Sequence, residues 1–539
     1  MTPQEHYYLK PNVVFEPLFQ GWYAWPHLIA PATAAKNITG RHLKIMNSYI
    51  QAPQMHAMAV KNPAMRGGPF MDYQGNKMEE VKHLKKKTET EQAIMLQLSE
   101  ALSELEALLS NHDKGLSLNE LYAQIPESLR GYVELVYDLN NNPTYRLAES
   151  LLYHSEFYDE SFQSIGLWLT DNDERPFVLS TPRLNNDDFL ELNIPFAHPV
   201  IDVLGSMKRK ARPFSDITDL LELSPEQQDE LKNLLTQEPP VPYERYTGDK
   251  IRMRYFGHAC ILVETKDVSI LVDPLISYYG YQQEVNRFSD VDLPEVIDYV
   301  LITHNHQDHI LFETLLPLRS RIKNVVVPKT NSGSLQDPNV KKIFEQIGFD
   351  NVLELAELDK IVFEDCTITG IPFIGEHCDL NIHAKICHHV QVGDFKLLFV
   401  ADSCNLEPKL YQHIQKITGD VDVIFLGMEC DGAPLTWLYG PLLTEEIEHR
   451  HDQSRRLAGS NFEQGKHLVD AFNPSEVYVY AMGLEPWLEF ISSIKYTDES
   501  RPIIQSNMLT EYCKEKGMVA ERLYGEKELL YSKYEEVPV

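Results

Sequence analysis

The sequence predicts a mixed α+β / α/β protein of two domains, and three observations carry that prediction. At 539 residues the chain is longer than one hydrophobic core organises. The stretch from Glu238 to Asp249 reads EPPVPYERYTGD, with three prolines and no periodicity, so it marks a linker. Beyond it, short β-branched runs alternate with helical patterns to the end, an α/β texture that the earlier half lacks. We therefore expect a mixed N-terminal domain over 1-245 and a second domain over 246-539.

Within the first domain, residues up to about 75 are rich in Pro, Gly, Tyr and Trp, as in Phe15 to Pro26, and read as irregular structure or short strands held by aromatic packing. From Met78 to Asn111 the period becomes helical. Leu98, Leu102, Leu105 and Leu109 form one apolar stripe, suited to the core of their own domain or, alternatively, to a dimer seam. Helical patterns also run from Leu118 through Glu134 and from Pro143 to Tyr153. Ser224 with Gln227 three residues on predicts a capped helix start. Two basic clusters, Lys82 with Lys85 to Lys87 and Lys208 to Lys210 with Arg212, read as solvated faces or, alternatively, as docking surfaces for an acidic partner. After the linker, Ile251 to Tyr255, Gly257 to Glu264 and Ser269 to Pro274 read as successive strands.

Composition narrows the function. Lys plus Arg is 49 against 80 for Asp plus Glu, a net charge of -31, which disfavours nucleic acid and anionic membrane surfaces as partners. Seven cysteines without a C-x-x-C pair suit reduced thiols rather than a disulfide framework. The opening residues show neither a basic nor an apolar leader segment, and no apolar run reaches membrane-spanning length; the expected location is cytoplasmic.

The chemistry concentrates in Val300-Leu301-Ile302-Thr303-His304-Asn305-His306-Gln307-Asp308-His309, an apolar run ending in three histidines and an aspartate. In extended backbone, residues two apart point the same way, so His304, His306 and Asp308 converge while His309 is turned toward a neighbouring point. That arrangement predicts a two-metal site at a strand end.

With Gly257-His258-Ala259-Cys260 and Ile270-Leu271-Val272-Asp273-Pro274 placed before it, this motif resembles the opening of a metallo-β-lactamase-type αββα sandwich, over about residues 250 to 500. The resemblance implies further ligands at Gly375-Glu376-His377 and Val400-Ala401-Asp402-Ser403. Hydrolases of this fold carry His directly after the Gly; here the position is Glu376, which leaves His377 expected to face away. Asp308, Asp402 and Glu376 together supply three carboxylates, hard donors that favour iron over a nitrogen-rich zinc site. Zinc carries no redox chemistry, so the exchange shifts the expectation from hydrolysis to oxygenation.

The long N-terminal domain, the Glu after the Gly, and Met428-Glu429-Cys430-Asp431-Gly432 leading to Trp437 make the whole chain similar to the di-iron β-hydroxylases of the chloramphenicol-biosynthesis type. That resemblance implies an O2-dependent monooxygenase that β-hydroxylates an aminoacyl thioester on a nonribosomal peptide synthetase thiolation domain, in antibiotic biosynthesis. It implies two iron ions, O2 as co-substrate, and electrons from an external reductase or ferredoxin, with the N-terminal domain serving carrier docking, homodimerisation or both. Carried over by position, one iron takes His304, His306 and Glu376, the second Asp308 and His309, with Asp402 bridging; Glu376 and Asp402 are the residues tied to catalysis. A last histidine ligand is matched to His467, with His449 and His451 as competitors. His258 is read as a hydrogen-bonding residue of the core, Asp273 as an acceptor orienting the metal loop, His383, His388 and His389 as core or solvent residues, and Glu429 and Trp437 as channel lining. The alternative is a zinc-dependent hydrolase of the same fold, cleaving a lactone, thioester or phosphodiester.

Overall fold

The computed structural model describes residues 5–184, 189–331 and 333–534. Residues 1–4, part of the opening segment considered above for a leader, lie outside them.

The second half is built on two seven-stranded sheets. The first runs, edge to edge, Val352–Leu355, Ile322–Pro328, Ile297–Leu301, Ser269–Val272, Cys260–Glu264, Ile251–Gly257 and Lys527–Tyr531. The second runs Lys360–Phe363, Cys366–Ile371, Cys387–Val392, Phe395–Phe399, Val423–Gly427, Glu476–Tyr480 and Val519–Arg522. Both join antiparallel hairpins to parallel strands, the parallel ones connected through helices.

Strand parity assigns the faces. Leu301, Val326, Ile261 and Val263 point from the first sheet into a shared core with Ile368, Val390, Phe399 and Phe425 of the second. Their sequence neighbours point outward. Leu398, Ile424 and Val477 meet the helices Lys409–Thr418, Phe462–Phe472 and Arg501–Glu515. Val300, Leu271 and Val325 meet a core that also holds Phe15, Trp22, Ala35 and Leu98. The first half of the chain thus covers the outer face of the first sheet, and one continuous apolar cluster joins the two halves. Each such Leu, Val or Phe contributes about 1.5–3 kcal/mol when fully buried.

The first half carries a four-stranded sheet (Trp22–Tyr23, Val13–Phe19, Gln163–Leu169, Leu190–Leu192), a small three-stranded sheet and a hairpin. The helices Met78–Glu91 and Ala93–Ser110 cover the segment whose period is helical. Leu98, Leu102, Leu105 and Leu109 are all buried within the chain, so the stripe is core and leaves no seam for a second copy. Ser224 forms the full capping box with Gln227.

Two stretches depart from their helical patterns. Residues 118 to 134 form 3-10 turns, Asn119–Gln124 and Glu127–Leu129, and enter the strand Val133–Tyr137; Pro143–Leu147 pairs with that strand as a hairpin before one helical turn, Glu149–Leu152. Their leucines pack against neighbours remote in sequence, and tertiary pairing overrides the local pattern.

Part of each basic cluster is engaged within the chain. Lys82, Lys85 and Lys87 pair with glutamates on their own helix, and Arg209 bonds the Asp290 carboxylate and the Leu293 carbonyl. Residues 237–250 form no helix or strand. All seven cysteines are free and buried. Burial raises the pKa of each thiol. Among the described residues no helix is long and apolar enough to cross a membrane.

Candidate metal centre

The strand Ile297–Leu301 ends between two parallel neighbours, and the chain beyond it is stitched across the gap between the sheets. The Ile302 amide donates to the Val326 carbonyl at 2.9 Å, the Thr303 carbonyl accepts from Ile386 at 2.6 Å, and the Asn305 amide donates to Ala384 at 3.1 Å. Asp273, at the end of the adjacent strand, accepts the Thr303 amide at 2.8 Å and the Thr303 hydroxyl at 2.6 Å, and its Oδ2 lies 2.8 Å from His309 Nδ1. Asp273 therefore sets both the loop and the His309 ring, as expected of an acceptor that orients it.

Glu376 and Asp402 enter from the second sheet. Gly375 has φ +72°, and a Cβ there would stand 2.7 Å from Cys404 Cβ, so only glycine fits the turn presenting Glu376. A Cβ at Gly427 would fall 2.6 Å from Asp402 Oδ1, so that glycine keeps the aspartate's space open.

The side chains form three overlapping groups whose donor atoms lie within 4.8 Å of one another: His304, His306 and Glu376; His304, His309 and Asp402; His258, Asp308 and His309. His306 Nδ1 is 3.1 Å from both Glu376 Oε1 and His304 Nε2. Asp402 Oδ2 is 3.2 Å from His309 Nε2 and 3.8 Å from His304 Nε2, a position between the other groups. Tyr439, on the short helix Leu435–Tyr439, places its hydroxyl 3.2 Å from His306 Nε2.

Burial and charge act against each other here. Burial, then the neighbouring imidazoles, drives the His304 pKa well down. At His309 burial also pushes downward, but Asp273 and Asp402 outweigh it and hold the ring well above the ordinary histidine value. Burial would raise the Glu376 carboxyl, yet His306 and His377 pull it below the usual range. Asp402 is raised, chiefly by burial. Several buried polar atoms have no hydrogen-bond partner: Glu376 Oε2, Asp402 Oδ1, both ring nitrogens of His258 and both of His377. Imidazole and carboxylate donors converging from both sheets, with unpartnered atoms among them, fit a pair of first-row transition-metal ions.

Six of the seven metal-site expectations, His304, His306, Asp308, His309, Glu376 and Asp402, fall in this cluster; His467 does not. It is exposed on the helix Phe462–Phe472, whose buried face is Gly465, Leu468, Val469 and Phe472. His449 and His451 are exposed as well.

Two other histidines differ from their expected roles. His258, at φ +50°, brings Nε2 to 3.3 Å from Asp308 Oδ2 rather than bonding within the core. His377 does not face away: it stacks on His306 with ring centroids 4.5 Å apart, and its Nδ1 is 2.8 Å from Glu376 Oε2 without hydrogen-bond geometry. Glu376 itself has φ +67°, so the alternation of extended backbone fails at that turn. Glu429 is half-buried, and desolvation of its carboxyl, whose Oε2 is buried, pushes it up to about 8. The Trp437 Nε1 donates to the Gly67 carbonyl at 2.8 Å.

Two family descriptions match this chain: the diiron non-heme beta-hydroxylase N-terminal domain over residues 8–239, and a beta-lactamase superfamily domain over residues 252–433. The chain is 38% identical over 525 residues to the 4-amino-L-phenylalanyl-[CmlP-peptidyl-carrier-protein] 3-hydroxylase of Streptomyces venezuelae, covering 96% of this chain and 98% of that protein. It superposes on the crystal structure of CmlA, a diiron beta-hydroxylase from Streptomyces venezuelae, with TM-score 0.91 and 37% identity, covering 98% of this chain and 99% of that one. A mutant of that β-hydroxylase matches with TM-score 0.89 and 37% identity, over 97% and 99% of the two chains.

Proposed function

This chain belongs to the diiron non-heme β-hydroxylase family, and from that premise we propose that it is an O2-dependent monooxygenase acting on the β-carbon of an aminoacyl thioester held by a nonribosomal peptide synthetase thiolation domain. The observation that carries the reading is Glu376, a buried carboxylate 3.1 Å from His306, where hydrolases of the fold have histidine.

His304, His306 and Glu376 would hold one iron and Asp308 and His309 the other, with Asp402 between them and His258 beside Asp308. Bound there, the two irons supply the redox chemistry that activates O2, with electrons from a separate reductase or ferredoxin. The chain's own part is to hold the donors. Asp273 fixes the His309 ring, Gly375 and Gly427 leave room for the carboxylates, and Tyr439 positions His306. Both sheets, with the first half packed on one of them, bury the histidines and Glu376 and leave Asp308 and Asp402 partly exposed. A carboxylate in place of a histidine lowers the net charge of a two-metal site and disfavours the zinc hydrolase.

Protein produced with iron is to be assayed for metal content, Mössbauer spectrum, and oxygen incorporation from isotopically labelled O2 into carrier-bound aminoacyl substrates. Two irons per chain and one oxygen atom gained by the product support the reading. Zinc-dependent hydrolysis, with no oxygen incorporated by the iron-loaded protein, would sink it.

A further inference from the structure

The strongest unassigned feature is a cavity of about 770 Å³ walled by both halves of the chain. That volume lies in the usual range of ligand pockets, roughly 300–1,000 Å³. Residues 40–48, 64–70 and 177–180 form one side, and residues 434–441 the other.

Its charge is anomalous. In a chain with 80 acidic residues and a net charge of -31, the lining holds Arg41, Lys44 and Arg66 and no carboxylate. None of these three cations forms an ion pair among the described residues. Lys44 is exposed, Arg66 half-buried, and Arg41 has its Nε buried without a partner. By contrast, Lys82, Lys85 and Lys87, a basic run that stands out in the sequence, pair with glutamates on their own helix.

Arg41 sits in a π-helical turn, Ile38–His42, and donates to the Trp437 and Leu438 carbonyls at 2.7 and 2.9 Å. Such turns are rare and recur at functional sites. The remaining wall is apolar, with Ile45, Phe177 and Trp437.

The cavity is tied to the metal centre by one helix. On Leu435–Tyr439, Trp437 lines the cavity while Tyr439, two positions on and so facing nearly the opposite way, reaches His306. An anion held here would stand one helix away from the chemistry.

Resting on the carrier-bound substrate read above, we propose that this cavity receives the phosphopantetheine arm of the carrier domain, with Arg41, Lys44 and Arg66 binding its phosphodiester and the apolar wall its pantetheine chain. The arm bears its one negative charge at the end remote from the thioester, so a cationic pocket set apart from the metals matches it. Three cations without a carboxylate partner suit a phosphate, to which guanidinium groups offer paired donors.

The test uses the iron-loaded full chain and calorimetric titration with free phosphopantetheine and with pantetheine, which lacks the phosphate. Phosphopantetheine is expected to bind at least tenfold tighter than pantetheine. Lys44→Glu with Arg66→Glu is expected to erase that difference, and Lys44→Arg with Arg66→Lys to retain it. Equal affinity of the unaltered protein for both compounds, no binding of either, or an unchanged preference after charge reversal would overturn the proposal. Hydroxylation of the carrier-bound substrate by unaltered protein is read separately. If it proceeds while the phosphate preference is absent, the cavity assignment falls and the hydroxylase reading stands; if it fails while the preference depends on Lys44 and Arg66, the reverse holds.

Discussion

Of two buried charged clusters in this chain, the one around Glu313 closes on itself while the one around Asp402 does not. Glu313 takes Arg175 on both oxygens at 2.8 and 3.0 Å, with Tyr278 at 2.8 Å and Tyr23 at 3.1 Å. Nearby, Glu16 takes Arg183 at 2.7 Å and Trp168 at 2.9 Å. Two arginines meet two glutamates there, and only Arg175 Nε lacks a partner among these side chains. Glu16, Arg175 and Arg183 belong to the first half of the chain and Glu313 to the second, so this cluster fastens the halves. Around Asp402 the same burial leaves Glu376 Oε2, Asp402 Oδ1 and the ring nitrogens of His258 and His377 without a hydrogen bond. An unsatisfied buried polar atom costs about 1–3 kcal/mol. The same chain balances one buried cluster and leaves the other unbalanced, which separates a fastening from a receptacle.

Substitutions can break that distinction. Glu376→Ala has the largest expected effect: hydroxylation is lost and iron falls below two per chain, while far-UV circular dichroism stays native; full turnover in this variant would contradict the assignment. Arg175→Met should do the opposite. It leaves the Glu313 carboxylate buried without its cation at a cost of about 3–5 kcal/mol, read as a lowered urea midpoint, with iron per folded chain unchanged. Should Arg175→Met instead strip the iron, the two clusters would not be independent. Asp273→Asn keeps the shape but weakens the hold on His309, with an expected loss of about 10–100-fold in iron affinity by competitive chelation. His467→Ala is expected to change neither iron content nor turnover, and a loss in either would restore it to the site.

The loop from His304 to His309 was legible because two regularities coincide there: a β-branched apolar run that must be a buried strand, and donors at the spacing extended backbone converges. Glu376 and Asp402 were legible through resemblance, since each stands at a strand end far along the chain. His258 and His377 were not. Both depend on turns with left-handed backbone, at His258 itself and at Glu376, where parity no longer tells which way a side chain points. The hairpin Val133–Tyr137 with Pro143–Leu147 was hidden for a related reason, as its pairing depends on a partner strand that the local pattern does not show. The linker, the helices from Met78 to Ser110 and the strands after Ile251 were plain in the sequence. How closely the halves share one core was not, because parity gives each strand two apolar faces without saying what covers the outer one.

The seven cysteines carry a consequence for durability. An oxygen-activating centre endangers its own scaffold, and the side chain most readily lost is a thiolate within reach of escaping oxidant. Cys378 and Cys404 each lie two positions from a proposed ligand, yet both are buried, and burial keeps both thiols protonated at neutral pH, as it does the other five. Burial thus disfavours the reactive thiolate at all seven positions while cysteine still serves as a small apolar filler of the core.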